Sequence, residues 1–196
     1  MTDARFDTEA MASVLEGWVA RESPTSDAAS VNRMQDLVQA FFSVGSCHVE
    51  RIAGRDGLGD TLKVTAGAAN GKPPILVMSH VDTVHPLRTI ERDLPLRRDG
   101  DRLYGPGIYD MKGGAYLASE AFRDVASKGS ATRPLVFLFT PDEEIGSPTT
   151  RDLIEAEGRR AAFVLVTEPA RDGGRIVTAR KGVGRFDVHV EGRPAH

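Results

Sequence analysis

Apolar residues change their spacing along this chain, and each change marks a different kind of element. Met11, Val14, Leu15, Trp18 and Val19 recur at helical intervals behind Asp7 and Thr8, either of which can cap a first helix. The Ser23-Pro24-Thr25-Ser26 stretch breaks that helix, and Val31, Met34, Leu37, Val38, Phe41 and Phe42 form the stripe of a second. Residues 47–53 and 61–65 alternate apolar and polar positions around the turn-forming residues 55–60, the pattern of a hairpin. Residues 66–74, with their Gly and Pro, read as a surface loop.

Three continuous apolar runs, Ile75–Met78, Leu135–Phe139 and Phe163–Val166, then replace alternation. Such runs suit strands buried on both faces, in a sheet with helices on either side. Between the first two lies a helix with Met111, Ala115, Ala118, Phe122 and Val125 on one face. Residues 149–157, with Leu153 and Ile154 as apolar contacts, form another between the last two. Strand, helix, strand, helix, strand is the α/β order. Residues 94–104 insert a second hairpin. Alternation returns over 185–190, which reads as a half-exposed strand of a different sheet.

Composition narrows the function classes. The 196 residues are 40% hydrophobic and 27% charged with a formal net charge of −3, enough for one substantial domain with an apolar core. Acids and bases are interspersed, so neither nucleic acid nor an anionic membrane is an implied partner. No apolar core follows a basic start at the N-terminus, so no signal peptide is expected, and no run approaches membrane-spanning length. Cys47 is the single cysteine and cannot form an internal disulfide. A cytoplasmic, reduced setting is expected.

Acids and a histidine fall where these apolar runs end. His80 and Asp82 follow the first run, Glu143 and Glu144 the second, and Glu168 the third, while Asp110 sits in a Gly-rich loop that opens a helix. Loops at the carboxyl ends of parallel strands gather along one edge, where ligands bind in open α/β sheets. His80 and Asp82 share one side of an extended segment, so Asp82 can accept the second ring N–H and orient the imidazole as a metal ligand; a solvated strand end is the plain alternative. Asp110 could equally be a helix cap. Asp142, Glu143 and Glu144 repel one another unless a cation neutralises them, although a solvated acidic turn or an ordinary loop acid at Glu168 would also fit. The four positions together point to a divalent-metal hydrolase.

These residues resemble the two-zinc metallopeptidases that include glutamate carboxypeptidase, acetylornithine deacetylase, succinyl-diaminopimelate desuccinylase and the aminoacylases. The resemblance rests on SHVDTV at 79–84, YGPGIYDMKGG at 104–114, TPDEEIGS at 140–147, TEP at 167–169 and GRPAH at 192–196, in family order. It implies a mostly parallel mixed sheet flanked by helices and two Zn²⁺ ions, with Mn²⁺ or Co²⁺ also admitted. By the same resemblance His80 and Glu168 bind the first metal, Glu144 the second, and Asp110 bridges both. Asp82 orients His80, and Glu143 is the general acid/base. Glu at position 168 resembles the carboxypeptidases and deacylases more than the aminopeptidases, and the Asp-Thr-Val and Gly-Pro-Gly words lean toward the glutamate carboxypeptidase branch. Substrates would be small peptides or N-acyl amino acids.

Family members are about twice as long, with a lid domain inserted into the catalytic domain. Residues 1–181 resemble the first part of the catalytic domain and 182–196 the first strand of the lid, so the chain is expected to stop before most of the lid. His196 matches a lid histidine that, in dimeric members, reaches the partner's active site; the full-length protein is expected to be a homodimer through the lid. As the last residue here, it is expected to be poorly ordered. The family's final histidine ligand of the second metal lies further on, and His48, His85 and His189 read as bland. The chain alone is therefore expected to bind one metal well, the second poorly, and to show little activity, with an unpaired sheet edge and exposed apolar surface. Two other readings remain. One is a non-catalytic metal-binding or interaction module derived from such an enzyme, against which Glu143 argues. The other is a doubly wound nucleotide-binding protein, against which Pro106 argues because it removes an N–H from the Gly-rich loop.

Overall fold

In the computed structural model, which describes residues 6–182, 184 and 186–193, Asp7 caps the first helix, α1 (Thr8–Val19). Its carboxylate accepts the N–H groups of Glu9 and Ala10 at 3.0 and 3.1 Å, satisfying two donors that a helix start leaves open. Asp27 caps α2 (Ala28–Phe42) through the Ser30 N–H. The hairpin follows as β1 (His48–Ile52) and β2 (Thr61–Ala66), then β3 (Ile75–His80). A short α3 (Thr89–Arg92) comes next, too brief for any periodicity to announce it. The second hairpin is β4 (Arg97–Asp99) with β5 (Arg102–Tyr104). Then come α4 (Gly113–Lys128), β6 (Leu135–Thr140), α5 (Arg151–Arg160) and β7 (Phe163–Val166).

Five strands form one mixed sheet in the order β1-β2-β6-β3-β7. The β1–β2 hairpin joins β6 antiparallel, while β6, β3 and β7 run parallel. Period-two geometry divides each strand between two layers. Leu62 and Val64 of β2 and Leu135, Phe137 and Phe139 of β6 face α1, α2 and α4, packing with Trp18, Val31, Met34, Val38, Phe42 and Phe122. Val136, Leu138 and Leu76 face the other way, against Leu153 near the start of α5. On that side Lys63 pairs with the buried Glu157 of α5 at 2.6 Å. Thus β6 is buried throughout, as its continuous apolar run predicts.

Two expectations are corrected. The residues of β7 are exposed at 44–61% rather than buried on both faces. This strand lies at the sheet edge with β3 as its one neighbour, and an edge position leaves apolar side chains open unless another layer covers them. Residues 186–190 form no strand among the described residues, and Phe186, Val188 and Val190 stand 82–89% exposed. Alternation favours a strand only where a partner supplies hydrogen bonds, and none of the described strands lies beside this segment. His196 lies outside the described residues. No helix among those described is long and apolar enough to cross a membrane.

The unequal burial has a measurable consequence. Phe42 is fully buried, with its ring centroid 5.1–6.2 Å from those of Phe41, Phe122, Phe137 and Phe139. Replacing it with Ala should cost about 3–5 kcal/mol in urea denaturation. Leu165→Thr on β7 should change stability by no more than about 0.5 kcal/mol.

Candidate metal centre

Strand register decides which loops meet. His80 lies opposite Thr140 on β6, and Met78 lies opposite Val166 on β7. Pairing continues past the strand ends, where Val81 N–H donates to the Thr140 carbonyl at 3.0 Å and Thr167 N–H to the Met78 carbonyl at 3.1 Å. Segments 80–82, 142–144 and 167–168 therefore leave the sheet side by side. Asp110 arrives from a wide π-type turn, Ile108–Lys112, whose Asp110–Met111 peptide bond is cis. The first turn of α4 presses against the β7 exit, where a Cβ on Gly114 would sit 2.0 Å from the Thr167 carbonyl oxygen. Only glycine permits that approach.

His80 is the hub, 1% exposed. Its Nδ1 is 2.9 Å from the Asp82 main-chain carbonyl and 3.3 Å from the Asp82 carboxylate. A carbonyl can only accept, so Nδ1 carries a hydrogen, and Nε2, which faces the cluster, is the nitrogen that would give up its proton to a metal. From Nε2 the distances are 3.1 Å to Asp110, 3.5 Å to Glu168 and 3.8 Å to Glu143. Two trios have ligand atoms within 4.8 Å of one another: His80 with Asp110 and Glu144, and His80 with Glu143 and Glu168. The five side chains singled out in the sequence as ligands and base thus come together. His80 belongs to both trios, and Glu168 also hydrogen-bonds Asp110.

Crowded acids set the electrostatics. Burial works against a charged His80, yet hydrogen bonds to Asp82 and Glu168 and the nearby negative charges outweigh it, and the imidazole is pushed up to about 11. Burial, reinforced by the charges of Asp110, Asp82 and Glu143 and opposed by His80, pushes Glu144 up to about 7. Glu143 is also raised, first by burial and then by the Glu168, Asp82 and Asp110 charges. The His80 hydrogen bond holds Glu168 below the usual carboxylate range.

Several supporting residues escaped the sequence reading. Asp82 does more than orient His80: its carboxylate accepts the Glu143 and Glu144 N–H groups, each at 3.2 Å, and the Thr25 hydroxyl at 2.7 Å. Thr25 belongs to the segment read only as a helix breaker. There Ser23 donates to the Val81 carbonyl at 2.6 Å, and Pro24 bridges Thr83 in parallel. Three hydroxyl-bearing residues among 23–26, between two helices, were the available signal. Lys112 is buried and donates to the Arg21 carbonyl at 2.5 Å, which ties the Asp110 turn to the end of α1. Asp142, grouped with Glu143 and Glu144 as one acidic run, is fully buried and bonds Thr149 and Thr150 instead of facing His80.

Two clefts open beside the cluster, with Tyr109 on the wall of each. One, of about 430 Å³, is lined by Val84, His85, Tyr104, Asp110 and Glu144. The other, of about 340 Å³, is lined by Asp110, Glu143, Glu168 and Arg180. His85 lines the first cleft but belongs to neither trio.

Comparison with known proteins bears on this geometry. Residues 76–195 match the profile of peptidase family M20/M25/M40. Over 98% of its length the chain is 31% identical to carboxypeptidase G2 of Pseudomonas sp. (strain RS-16), covering 47% of that protein. It is 29% identical to the acetylornithine deacetylase of Myxococcus xanthus, over 82% of this chain and 42% of that one. Among solved structures, a Staphylococcus aureus tripeptidase shares the fold with a TM-score of 0.68 at 17% identity, over 86% of this chain and 45% of that one. The Bacillus cereus aminopeptidase PepT does so with a TM-score of 0.67 at 20% identity, over 85% and 45%. The chain spans about half the length of the curated relatives it matches.

The raised affinities for protons predict how divalent-ion binding depends on pH. A metal must displace the proton that His80 holds below about 11 and, below about 7, the one that Glu144 holds. Calorimetric zinc titrations in buffers of different ionisation enthalpy should show about one proton released at pH 8.5 and about two at pH 5.5. Affinity should fall more steeply with acidification below about 7. Proton release independent of pH would contradict this assignment.

Proposed function

Because the chain belongs to peptidase family M20/M25/M40, we propose that it carries the metal-binding part of a hydrolase that cleaves a peptide or N-acyl amide bond beside a free carboxylate. The observation that carries this reading is the convergence of carboxylates from separate loops on one buried imidazole. Acids crowd in this way where a cation shares their charge. An imidazole nitrogen with several carboxylate oxygens is a donor set that suits zinc and also admits manganese or cobalt. His80, Asp110, Glu144 and Glu168 would hold two such ions. Bound ions would supply Lewis acidity toward a carbonyl and lower the pKa of water.

The remaining steps belong to the chain's own side chains. Glu143 takes a proton from the attacking water as the carbon–oxygen bond forms, and delivers it to the nitrogen as the carbon–nitrogen bond breaks. Its raised proton affinity suits the second half of that cycle. Asp82 keeps the His80 ring turned so that Nε2 faces the cluster. The relatives' names favour a carboxypeptidase or a deacylase, acting on small peptides or N-acyl amino acids. Residues 1–181 would form the first part of the catalytic domain and 182–196 the start of a lid through which two copies pair, with 186–190 becoming a strand only beside lid partners. His196 would then serve the partner's site.

Two measurements test the reading. Zinc titration of this chain should give one tight equivalent and a weaker second, with little peptide hydrolysis. In a chain of the relatives' full length, Glu143→Gln should retain zinc while turnover falls by about 10²–10⁴-fold. Normal hydrolysis by that variant would remove Glu143 from the role of base.

A further inference from the structure

The run Asp142-Glu143-Glu144 divides between two environments. Glu143 and Glu144 reach toward His80, whereas Asp142 is fully buried beside Thr150. Its Oδ2 accepts both the N–H and the hydroxyl of Thr149 at 2.8 Å, and its Oδ1 accepts the Thr150 hydroxyl at 2.6 Å. The Asp142 main-chain carbonyl accepts the Ser147 N–H at 2.8 Å. Four hydrogen bonds, three to the carboxylate and one to the main-chain carbonyl, thus close residues 142–150 around Asp142. The chain reverses within that loop at Gly146 and Ser147, with φ of 89° and 54°. Arg55, from the β1–β2 loop, reaches the Thr149 carbonyl at 2.8 Å and grips the same turn from outside.

We propose that Asp142 is the positioning residue for Glu143 and Glu144: it fixes the far end of their loop while Asp82 fixes the near end. The proposal rests on the reading of Glu143 and Glu144 given above. From those two glutamates Asp82 accepts the main-chain N–H groups, at 3.2 Å each. Bonds that long do not by themselves hold a turn whose backbone lies in the left-handed region. Asp142 holds the return path, and so determines where the two glutamates start. Without its carboxylate, the N–H and hydroxyl of the half-buried Thr149 and the buried Thr150 hydroxyl would lack acceptors, and the loop would open to satisfy them from water. Loss of the fold is not implied, because β6 keeps its pairing with β2 and β3 on both sides.

The test compares Asp142→Ala, Asp142→Asn and Thr150→Val in the full chain, using zinc titration, the visible spectrum with Co²⁺, and amide hydrogen exchange. Ala should weaken zinc binding by about tenfold or more, alter the Co²⁺ spectrum, and speed exchange at the Glu143, Glu144 and Thr149 amides by about tenfold or more. Amides of β3 and β6 should stay protected. Asn should restore all three readouts to within about threefold, since its oxygen can accept from Thr149 and its NH₂ can donate to the Thr150 hydroxyl. If the Ala variant does not fold, Thr150→Val, which deletes a single bond, should shift exchange in the same direction by about threefold. Unchanged binding and exchange in the Ala variant, failure of Asn to rescue, or exchange rising across the whole sheet would each overturn the proposal. If the unsubstituted chain bound no zinc, the metal reading would fall, while the exchange comparison would still decide whether Asp142 places the loop.

Discussion

Hydrogen bonding holds β3 in parallel register between β6 and β7, with His80 opposite Thr140 and Met78 opposite Val166, and this register governs everything at the site. Three loops leave the sheet within reach of each other because their strands end together. A slip of one residue in β3 would turn His80 to the opposite face and bring Ser79 to its place. Packing of β3 makes such a slip costly, since Ile75 and Val77 pack into the aromatic layer while Leu76 and Met78 pack on the opposite side, and a slip would exchange the two sets. Core packing far from the cluster therefore decides which atoms meet in it.

Charge then acts within the space the register creates. Asp82 and Asp142 end in the same carboxyl group as Glu143 and Glu144 and lie beside them in chain or space, yet the two pairs face different partners. Asp82 and Asp142 are fully buried and find donors in amides and hydroxyls: the Glu143 and Glu144 N–H groups and Thr25 for one, Thr149 and Thr150 for the other. A carboxylate given enough donors is a stable structural fixture. Burial, reinforced by the charges of Asp110, Asp82 and Glu143, raises the proton affinity of Glu144. Donor supply, set by the neighbouring threonines and main chain, separates the acids that brace the loops from the acids that face His80.

That separation also explains what was legible in the sequence. The ends of apolar runs located His80, Glu143, Glu144 and Glu168, because a run and its flanking residues are contiguous. Asp110 needed the Gly-rich loop around it as a signal. Thr25 and Asp82 are far apart in the chain and meet through the bridge between Pro24 and Thr83, so no local pattern shows their contact. Asp142 was misread for a related reason: adjacency to Glu143 and Glu144 advertised one cluster, while its partners sit seven and eight residues on. The β7 run carried the same apolar signal as β6, and only the strand order distinguishes a central strand from an edge one.

Support for the cluster is uneven as a result. His80 ends a strand with neighbours on both sides and a large aromatic layer beneath one face of the sheet. Glu168 follows β7, whose four residues contribute little buried area. Polar fastening takes over there: Ser79 and Thr167 hydroxyls lie 2.6 Å apart, the Thr167 N–H reaches the Met78 carbonyl, and the glycine at 114 lets α4 close against the Thr167 carbonyl. These contacts are short-range and directional, so they fix the Thr167 backbone without stiffening the strand before it. The route from the sheet edge into the cluster accordingly runs through Thr167 to Glu168, whereas His80 is insulated from that edge by its place in β3. An edge strand that moved would shift one carboxylate against a fixed imidazole, rather than carry the whole constellation with it.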